Sequence, residues 1–586
     1  MKDNKNNSKN GLLARCELIE RRFLFIAAFL FLVSGVVNVL ALTGSFYMMQ
    51  IYDRALASAS IPTLVAISVI AIFLYVFQGM LDIIRSQILN RLGARMDRKV
   101  APEIHDIVVD MPRFGFSASE ACERGRDLDT VRGFLGSQGP IALLDLPWVP
   151  VFIIFVYLLH PFLGALTLGG AVVLSTLAII TESLTRRLTA QAHGAAIERN
   201  AVAESHARNA DIIKAMGFSS AVVGRFVTAN EKHLKLQARA SDITGSLSAF
   251  SKVLRMILQS SVLGMGAYLT IQGELSAGAI IACSVASARA LAPIDMAIGN
   301  WKNVLQARSS WDRLHETLEA SVKRQEPVAL PLPSKSLSVE NVTVAEPTTG
   351  RVIVADIAFK VTAGQALGII GPSGGGKTTL IKAMSGVWPP LRGHVRLDGA
   401  DLTQWQESMI AASIGYLPQD YGLFEDTIER NISRLETPDP QKVVKAAQAA
   451  GVHELILSMA DGYQTKLGPY GGSLSAGQRQ RLALARALYG DPFLLLLDEP
   501  NSNLDSEGEK AVSRAIEGVK ARGGIVVVVA HRPSALVGVD QVAVLQNGQL
   551  AAFGPKDEIL RAKPVSEARS GQGEGGKKLA AVGQPA

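Results

Sequence analysis

Cysteine is almost absent, with three in 586 residues. Cys16, Cys122 and Cys283 are widely separated and form no CxxC or Cys/His cluster, which excludes a disulfide framework and a thiolate zinc site. Charge is scarce at 19% of residues against 48% hydrophobic, and aromatics reach only 6%. The formal net charge is +7, yet no compact basic face with interleaved aromatics occurs, so nucleic acid is not an expected partner. No cleavable leader is expected either. The polar start MKDNKNNSKNGLLARCELIERR meets an apolar run far longer than a signal-peptide core, with no small-residue cleavage site. The expectation is a short cytoplasmic tail (1–22), with no room for an enzymatic domain, and a retained first membrane helix.

What is present is a series of long apolar runs. A membrane helix needs about 20 mostly apolar residues. Candidates lie at roughly 23–47, 61–84, 141–159, 162–181, 254–272 and 277–299. The third carries Asp145, Pro147 and Pro150, and the sixth carries Arg289 and Pro293. Both are weaker by hydropathy, but pairing each with its neighbour gives six. Nine Lys and Arg fall between 85 and 140 and eleven between 182 and 255, while the opposite connections YDRALASASI, LHPFLG and IQGELSAG hold only Arg54. The positive-inside rule puts both long loops and both termini in the cytoplasm. Loops of that length can carry the helices well past the bilayer. RFGFSASEACERGRD (113–127) and ARNADIIKAMGF (207–218) are then candidate contacts with a cytoplasmic motor, or ordinary surface turns. A charge inside a membrane helix is costly and usually faces an aqueous path or a partner. Arg289 is therefore expected to line a translocation path, the alternative being an arginine snorkelling at a helix end.

After the proline-rich RQEPVALPLPSKS, read as a linker at 326–336, strand and helix patterns alternate. GQALGII reads as a buried strand, and GPSGGGKTTLIKAM as the loop and helix after it, which is GxxxxGK[ST] in its required context. Within Gly371–Thr379, the backbone N–H groups of Ser373, Gly374, Gly375 and Gly376 can wrap phosphate oxygens because no side chains intervene, and the helix start adds its positive end. Lys377 reaches the outer phosphates, the Thr378 hydroxyl can ligate Mg²⁺, and Thr379 completes the stretch. FLLLLDEP (493–500) is a second buried strand ending in two acids, Asp498 placed for Mg²⁺ and Glu499 for the attacking water. Gln419 in GYLPQD and His531 in VVVVAHR each follow a strand-like run. Groups at the C-terminal ends of parallel strands converge on one crevice, so both are expected at the γ-phosphate, Gln419 also near the metal. A lone Gln or His elsewhere would be bland.

A second glycine-bearing helix start, LSAGQ (474–478), has no phosphate lysine of its own. Ser475, Gly477 and Gln478 make an anion site there. The phosphates bound by the chain's own loop are already satisfied. The economical expectation is that LSAGQ takes the γ-phosphate of ATP held by another copy. Two copies would then face head to tail, with Asp505 of NSNLD at the seam.

In order and spacing, GPSGGGKTT, LPQD, LSAGQRQRLALARAL, LLLLDEP, NSNLD and AHR resemble the ATP-binding cassette transporters over about 337–560. The six-helix half with long inner loops resembles their exporter type. LQSSVLGMGAYLTIQGELSAGAIIACSVASARALAPIDMAIGNWKNVLQAR (258–308), with DLPWVPVF and DEPNSNLD, is similar to bacterial type I secretion ATPases of the protease and lipase exporter branch. The expected fold is a six-helix α-helical transmembrane exporter domain (23–325) fused to an α/β P-loop ATP-binding cassette domain (337–562). The resemblance implies ATP and Mg²⁺, a homodimer in a bacterial inner membrane, and an unfolded protein cargo with an uncleaved C-terminal signal. It also implies a periplasmic adaptor and an outer-membrane channel. A small-molecule or lipid exporter of the same architecture, or a membrane-anchored regulatory ATPase, would use the same cassette residues. Several positions depart from the pattern: Glu346 where many members have an adenine-stacking aromatic, Pro469 and Tyr470 where an acid often follows glycine, and Ala476 where glycine is commoner. The polar, glycine-rich end (563–586) is expected to be a disordered tail.

Overall fold

The computed structural model describes residues 25–322, 330–468, 471, 474–502, 504–530 and 536–561. The two terminal tails, the first part of the linker (326–329), Pro469, Tyr470 and His531 lie outside the described residues. The chain divides into two compact units, Met1–Pro112 with Phe116–Arg324, and Arg113–Gly115 with Gln325–Ala586.

Among the described residues, six helices are long and apolar enough to cross a membrane: Phe25–Leu56, Ile61–Phe114, Gln138–Leu159, Pro161–Arg208, Ser219–Ile271 and Ala277–Leu318. The second, fourth and fifth run far beyond their apolar cores. At 1.5 Å per residue, a helix of about 50 residues is about 75 Å long, over twice a hydrocarbon core of about 30 Å. The third span survives its prolines because each falls in the first turn of a helical segment, where no hydrogen bond is forfeited. Its acid is paired. Asp145, only 7% exposed, accepts from Arg85 Nη1 at 2.6 Å and from Asn38 Nδ2 at 2.8 Å. Arg85, 4% exposed, also donates to Ser34 Oγ and to Asp82 Oδ1, each at 2.8 Å. Three spans thus meet at one ion pair. Gly35 permits the approach, since a Cβ there would lie 2.4 Å from the Trp148 ring.

The second unit is built on a six-stranded sheet in the order β10-β9-β3-β8-β7-β6. Its strands are β3 (Ala366–Ile370), β6 (Ile414–Leu417), β7 (Leu494–Asp498), β8 (Ile525–Val529), β9 (Gln541–Gln546) and β10 (Gln549–Pro555). β3, β6, β7 and β8 are mutually parallel with β9, and only the β9–β10 pair is antiparallel. Both faces are covered, which is why LLLL and VVVV runs form its centre. Side chains alternate. Leu494, Leu496, Val527 and Val529 join the core around the P-loop helix Lys377–Met384. Leu495, Leu497, Val526 and Val528 join the opposite core with the helices Ala476–Leu488 and Ser506–Ala521. A separate antiparallel sheet of β1 (Ser336–Ala345), β2 (Val352–Thr362), β4 (Arg392–Leu397) and β5 (Ala400–Asp401) packs into the first of these cores.

Breaking the Arg85–Asp145 pair strands a buried charge, whereas removing both partners does not. Asp145→Leu alone should cost about 3–5 kcal/mol. Thermal unfolding of detergent-solubilised protein should show a large drop for that variant and recovery of most of it in Asp145→Leu with Arg85→Met. An equal drop in the double variant would contradict the account.

Candidate active site at the carboxyl edge of the parallel sheet

The parallel strands deliver four of the expected groups to one edge. The P-loop follows β3, Gln419 follows β6, Asp498 ends β7 and Glu499 follows it. β8 ends at Val529 at the same edge; Ala530 follows it in the chain, and then His531, outside the described residues.

The loop itself is shaped by glycine. Gly374 and Gly376 have φ of 77° and 92°, a region that favours glycine. Gly376 is the N-cap of the Lys377–Met384 helix, and a Cβ there would come within 2.7 Å of Val354 Cγ2. Pro372, Ser373 and Gly374 are exposed, whereas Gly375, Gly376 and Thr379 are buried. Lys377 is 5% exposed, and its ammonium donates to the carbonyls of Gly371 (2.9 Å) and Pro372 (2.8 Å). Burial lowers its pKa, against the opposing pull of Glu499 and Asp498.

Asp498 is 1% exposed. Its Oδ1 accepts from Thr378 Oγ1 at 3.4 Å, and its Oδ2 is buried without a hydrogen-bond partner. Burial pushes its pKa up to about 6, with the neighbouring Glu499 raising it and Thr378, Lys382 and Lys377 lowering it. Glu499 follows at φ 51°, a left-handed conformation uncommon for a side-chain-bearing residue, held by its N–H to Val529 O at 3.2 Å. Backbone strain of this kind at a carboxylate is a recurring mark of function. An orphaned buried carboxylate oxygen beside a threonine hydroxyl is a donor set that fits a small hard cation.

LSAGQ sits on a different element. Ser475 is exposed and caps the helix Ala476–Leu488, accepting from Gln478 N while Gln478 Oε1 accepts from Ser475 N at 2.9 Å. Gly477 lies in the first turn. Asp505 is exposed and caps Ser506–Ala521 through Gly508 N at 2.8 Å. Two bonds that motif reading missed tie the LSAGQ helix to the catalytic edge. Gln480, 2% exposed, donates to Pro500 O at 2.6 Å, and Tyr421 Oη donates to Ala476 O at 3.1 Å. A buried glutamine one turn after a cap is a weak signal, visible only once its partner is known.

Glu346, at the position of the expected aromatic, accepts from Thr349 Oγ1 within the turn that joins β1 to β2. In the first unit, Arg289 is exposed on the sixth span and makes no hydrogen bond or ion pair among the described residues. Its neighbour Asp295 is instead paired with Arg255 Nε at 2.9 Å and accepts from Ser251.

Residues 354–502 match the family model described as ABC transporter, and 24–293 match that described as ABC transporter transmembrane region. The chain is 47% identical to "Type I secretion system ATP-binding protein PrsD" of Rhizobium meliloti (strain 1021), over 90% of this chain and 91% of that one. It is 28% identical to "Toxin RTX-I translocation ATP-binding protein" of Actinobacillus pleuropneumoniae, over 93% of this chain and 77% of that one. In fold it is similar to a solved structure, "Structure of a bacterial Atm1-family ABC exporter with ATP bound". The TM-score is 0.81 at 23% identity, covering 94% of this chain and 99% of that one.

An acid whose folded pKa is raised destabilises the fold once it ionises. Below about pH 4 the group is protonated folded and unfolded. Above its folded value near 6 it is charged in both states, and the desolvation penalty is felt in full. Stability of nucleotide-free protein should therefore fall as pH rises from about 4 to about 6, and Asp498→Asn should flatten that fall. Melting temperatures of the two proteins across that range measure it. Parallel profiles would contradict the burial argument.

Proposed function

The chain belongs to the ABC transporter family, a transmembrane region and an ATPase domain on one polypeptide, and from that membership we propose how its residues drive export. It is a multi-pass membrane protein and an ATP-driven exporter of the type I secretion kind, hydrolysing ATP to power transport. The small-molecule exporter and the regulatory ATPase are disfavoured by its relatives.

The observation that carries the chemistry is the approach of the P-loop helix to the end of β7, where Thr378 and Asp498 lie 3.4 Å apart. ATP lies in the P-loop, its phosphates held by backbone N–H groups from Ser373 to Thr379 and by Lys377, which exchanges its two carbonyl partners for phosphate oxygens. Thr378, Asp498 and Gln419 would hold Mg²⁺, which when bound neutralises charge on the outer phosphates. Glu499 orients the attacking water and draws off its proton. His531, after β8, steadies the γ-phosphate. Ser475, Gly477 and Gln478 of a second copy close over that phosphate, and Asp505 lies at the seam. ATP thereby joins two copies of the cassette, and hydrolysis releases them.

The copies form a homodimer in a bacterial inner membrane with cassettes and termini in the cytoplasm. The cargo is an unfolded protein with a C-terminal signal, handed to a periplasmic adaptor and an outer-membrane channel. Arg289 faces the aqueous path: an unpaired charge on a membrane-level helix is too costly against lipid.

Glu499→Gln should bind ATP normally and lower turnover by about 10²-fold or more. It should also trap an ATP-bound dimer. Phosphate release and crosslinking of purified protein in lipid check this, and normal turnover would remove Glu499 from its role. ATPase activity of the wild type should respond to C-terminal peptides of proteins secreted by the same cell. A response to lipids or drugs alone would restore the small-molecule reading.

A further inference from the structure

Arg434 has no role in any of the motifs, yet its surroundings are unusual. It lies just past the short helix Ile428–Ile432, where Arg434 and Leu435 both take left-handed backbone conformations (φ 60° and 65°). Two successive side-chain-bearing residues in that region are costly, so the surrounding structure must enforce them. The turn aims the guanidinium at the far end of the LSAGQ helix. Nε donates to Arg486 O (3.3 Å), and Nη2 donates to Ala487 O (3.4 Å) and Tyr489 O (3.2 Å). Nη1 donates to Ala411 O, in the helix Glu407–Ser413 that leads directly into β6. Among the described residues Arg434 has no carboxylate partner in an ion pair. Its charge is set against helix carbonyls, which carry the negative end of the dipole and lack partners within the helix.

A second, independent feature sits at the same place. Gly415, the second residue of β6, lies so close to the LSAGQ helix that a Cβ would come within 2.1 Å of Ala487 O. Strand and helix are therefore in backbone contact at their far ends. From this point β6 runs forward to Gln419, and the helix runs back to Ser475. Any change of angle at the clamp is carried along about 13 residues, or about 20 Å, of rigid helix to the LSAGQ end.

We propose that Arg434 is a positioning residue for ATP hydrolysis: its guanidinium sets the angle between β6 and the LSAGQ helix, and so the placement of Ser475 and Gly477 relative to Gln419. The inference rests on the reading that LSAGQ engages ATP held by a second copy. It predicts that Arg434 acts on turnover and closure while leaving capture of nucleotide by the chain's own P-loop alone.

Arg434→Gly is the informative variant, because glycine takes φ 60° without strain and keeps the turn while deleting the guanidinium. Arg434→Lys keeps the charge but loses the planar fork that reaches several carbonyls. Both are made in the full-length protein in lipid and measured beside Gly477→Asp. Expected are an MgADP dissociation constant within about twofold of wild type, kcat down about tenfold in both Arg434 variants, and a raised KM for ATP. Unchanged kcat in Arg434→Gly, or MgADP affinity lost in step with kcat, would overturn the proposal, the latter by making Arg434 a general structural residue. The Gly477→Asp arm separates the two ideas. If it keeps wild-type kcat, the second-copy reading of LSAGQ fails and this inference with it. If it loses kcat while Arg434→Gly does not, only this inference fails.

Discussion

The catalytic unit is organised around one buried carboxylate. Asp498 sits at the end of a strand covered on both faces, 1% exposed, with one oxygen near a threonine hydroxyl and the other without a partner. Such a group is tolerated only where the fold gains something from it. The surrounding pieces share its logic. Lys377 is nearly as deeply buried and turns its charge toward carbonyls. Glu499 is held in a strained conformation immediately beyond. Without nucleotide and cation the edge is electrostatically unfinished, so whatever binds there stabilises the fold as well as reacting. Ligand binding and folding are linked by mass action.

The membrane unit handles buried charge by the opposite route. Arg85 and Asp145 satisfy each other, with Asn38, Ser34 and Asp82 taking up further bonds, and Asp295 is met by Arg255. In an apolar medium, a paired charge is a fastening between helices, and an unpaired one asks for water or a ligand. That difference separates Arg289 from Arg85, Asp145, Asp295 and Arg255. It also explains why the proline-bearing third span is a sound helix: its acid is neutralised and its prolines stand where helices begin.

The LSAGQ helix joins these themes. Its start is capped by its own Ser475 and Gln478, its middle is tied to Pro500 through Gln480, and its end receives Arg434. The Ser475 end is exposed, while the middle of the helix is anchored at Pro500, beside Glu499. A helix held in this manner transmits displacement as a rod.

Much was legible in the sequence because it depends on local chemistry. A glycine loop before Lys377 at a helix start lets the backbone approach a phosphate closely. The unbroken LLLL and VVVV runs require a sheet covered on both faces. Runs of about 20 apolar residues require a membrane or a deep core. These properties reside in spacing and residue type, so the two-part fold, the P-loop and the acid pair could be read directly. The partner of Asp145, the pairing of Asp295 with Arg255, the reach of Gln480 to Pro500 and the clamp made by Arg434 could not. Each joins residues distant in the chain through contacts that residue type does not encode: arginine, aspartate and glutamine are equally at home in water. Only when tertiary packing removes the water does the choice of partner become decisive, because a buried polar group must find one.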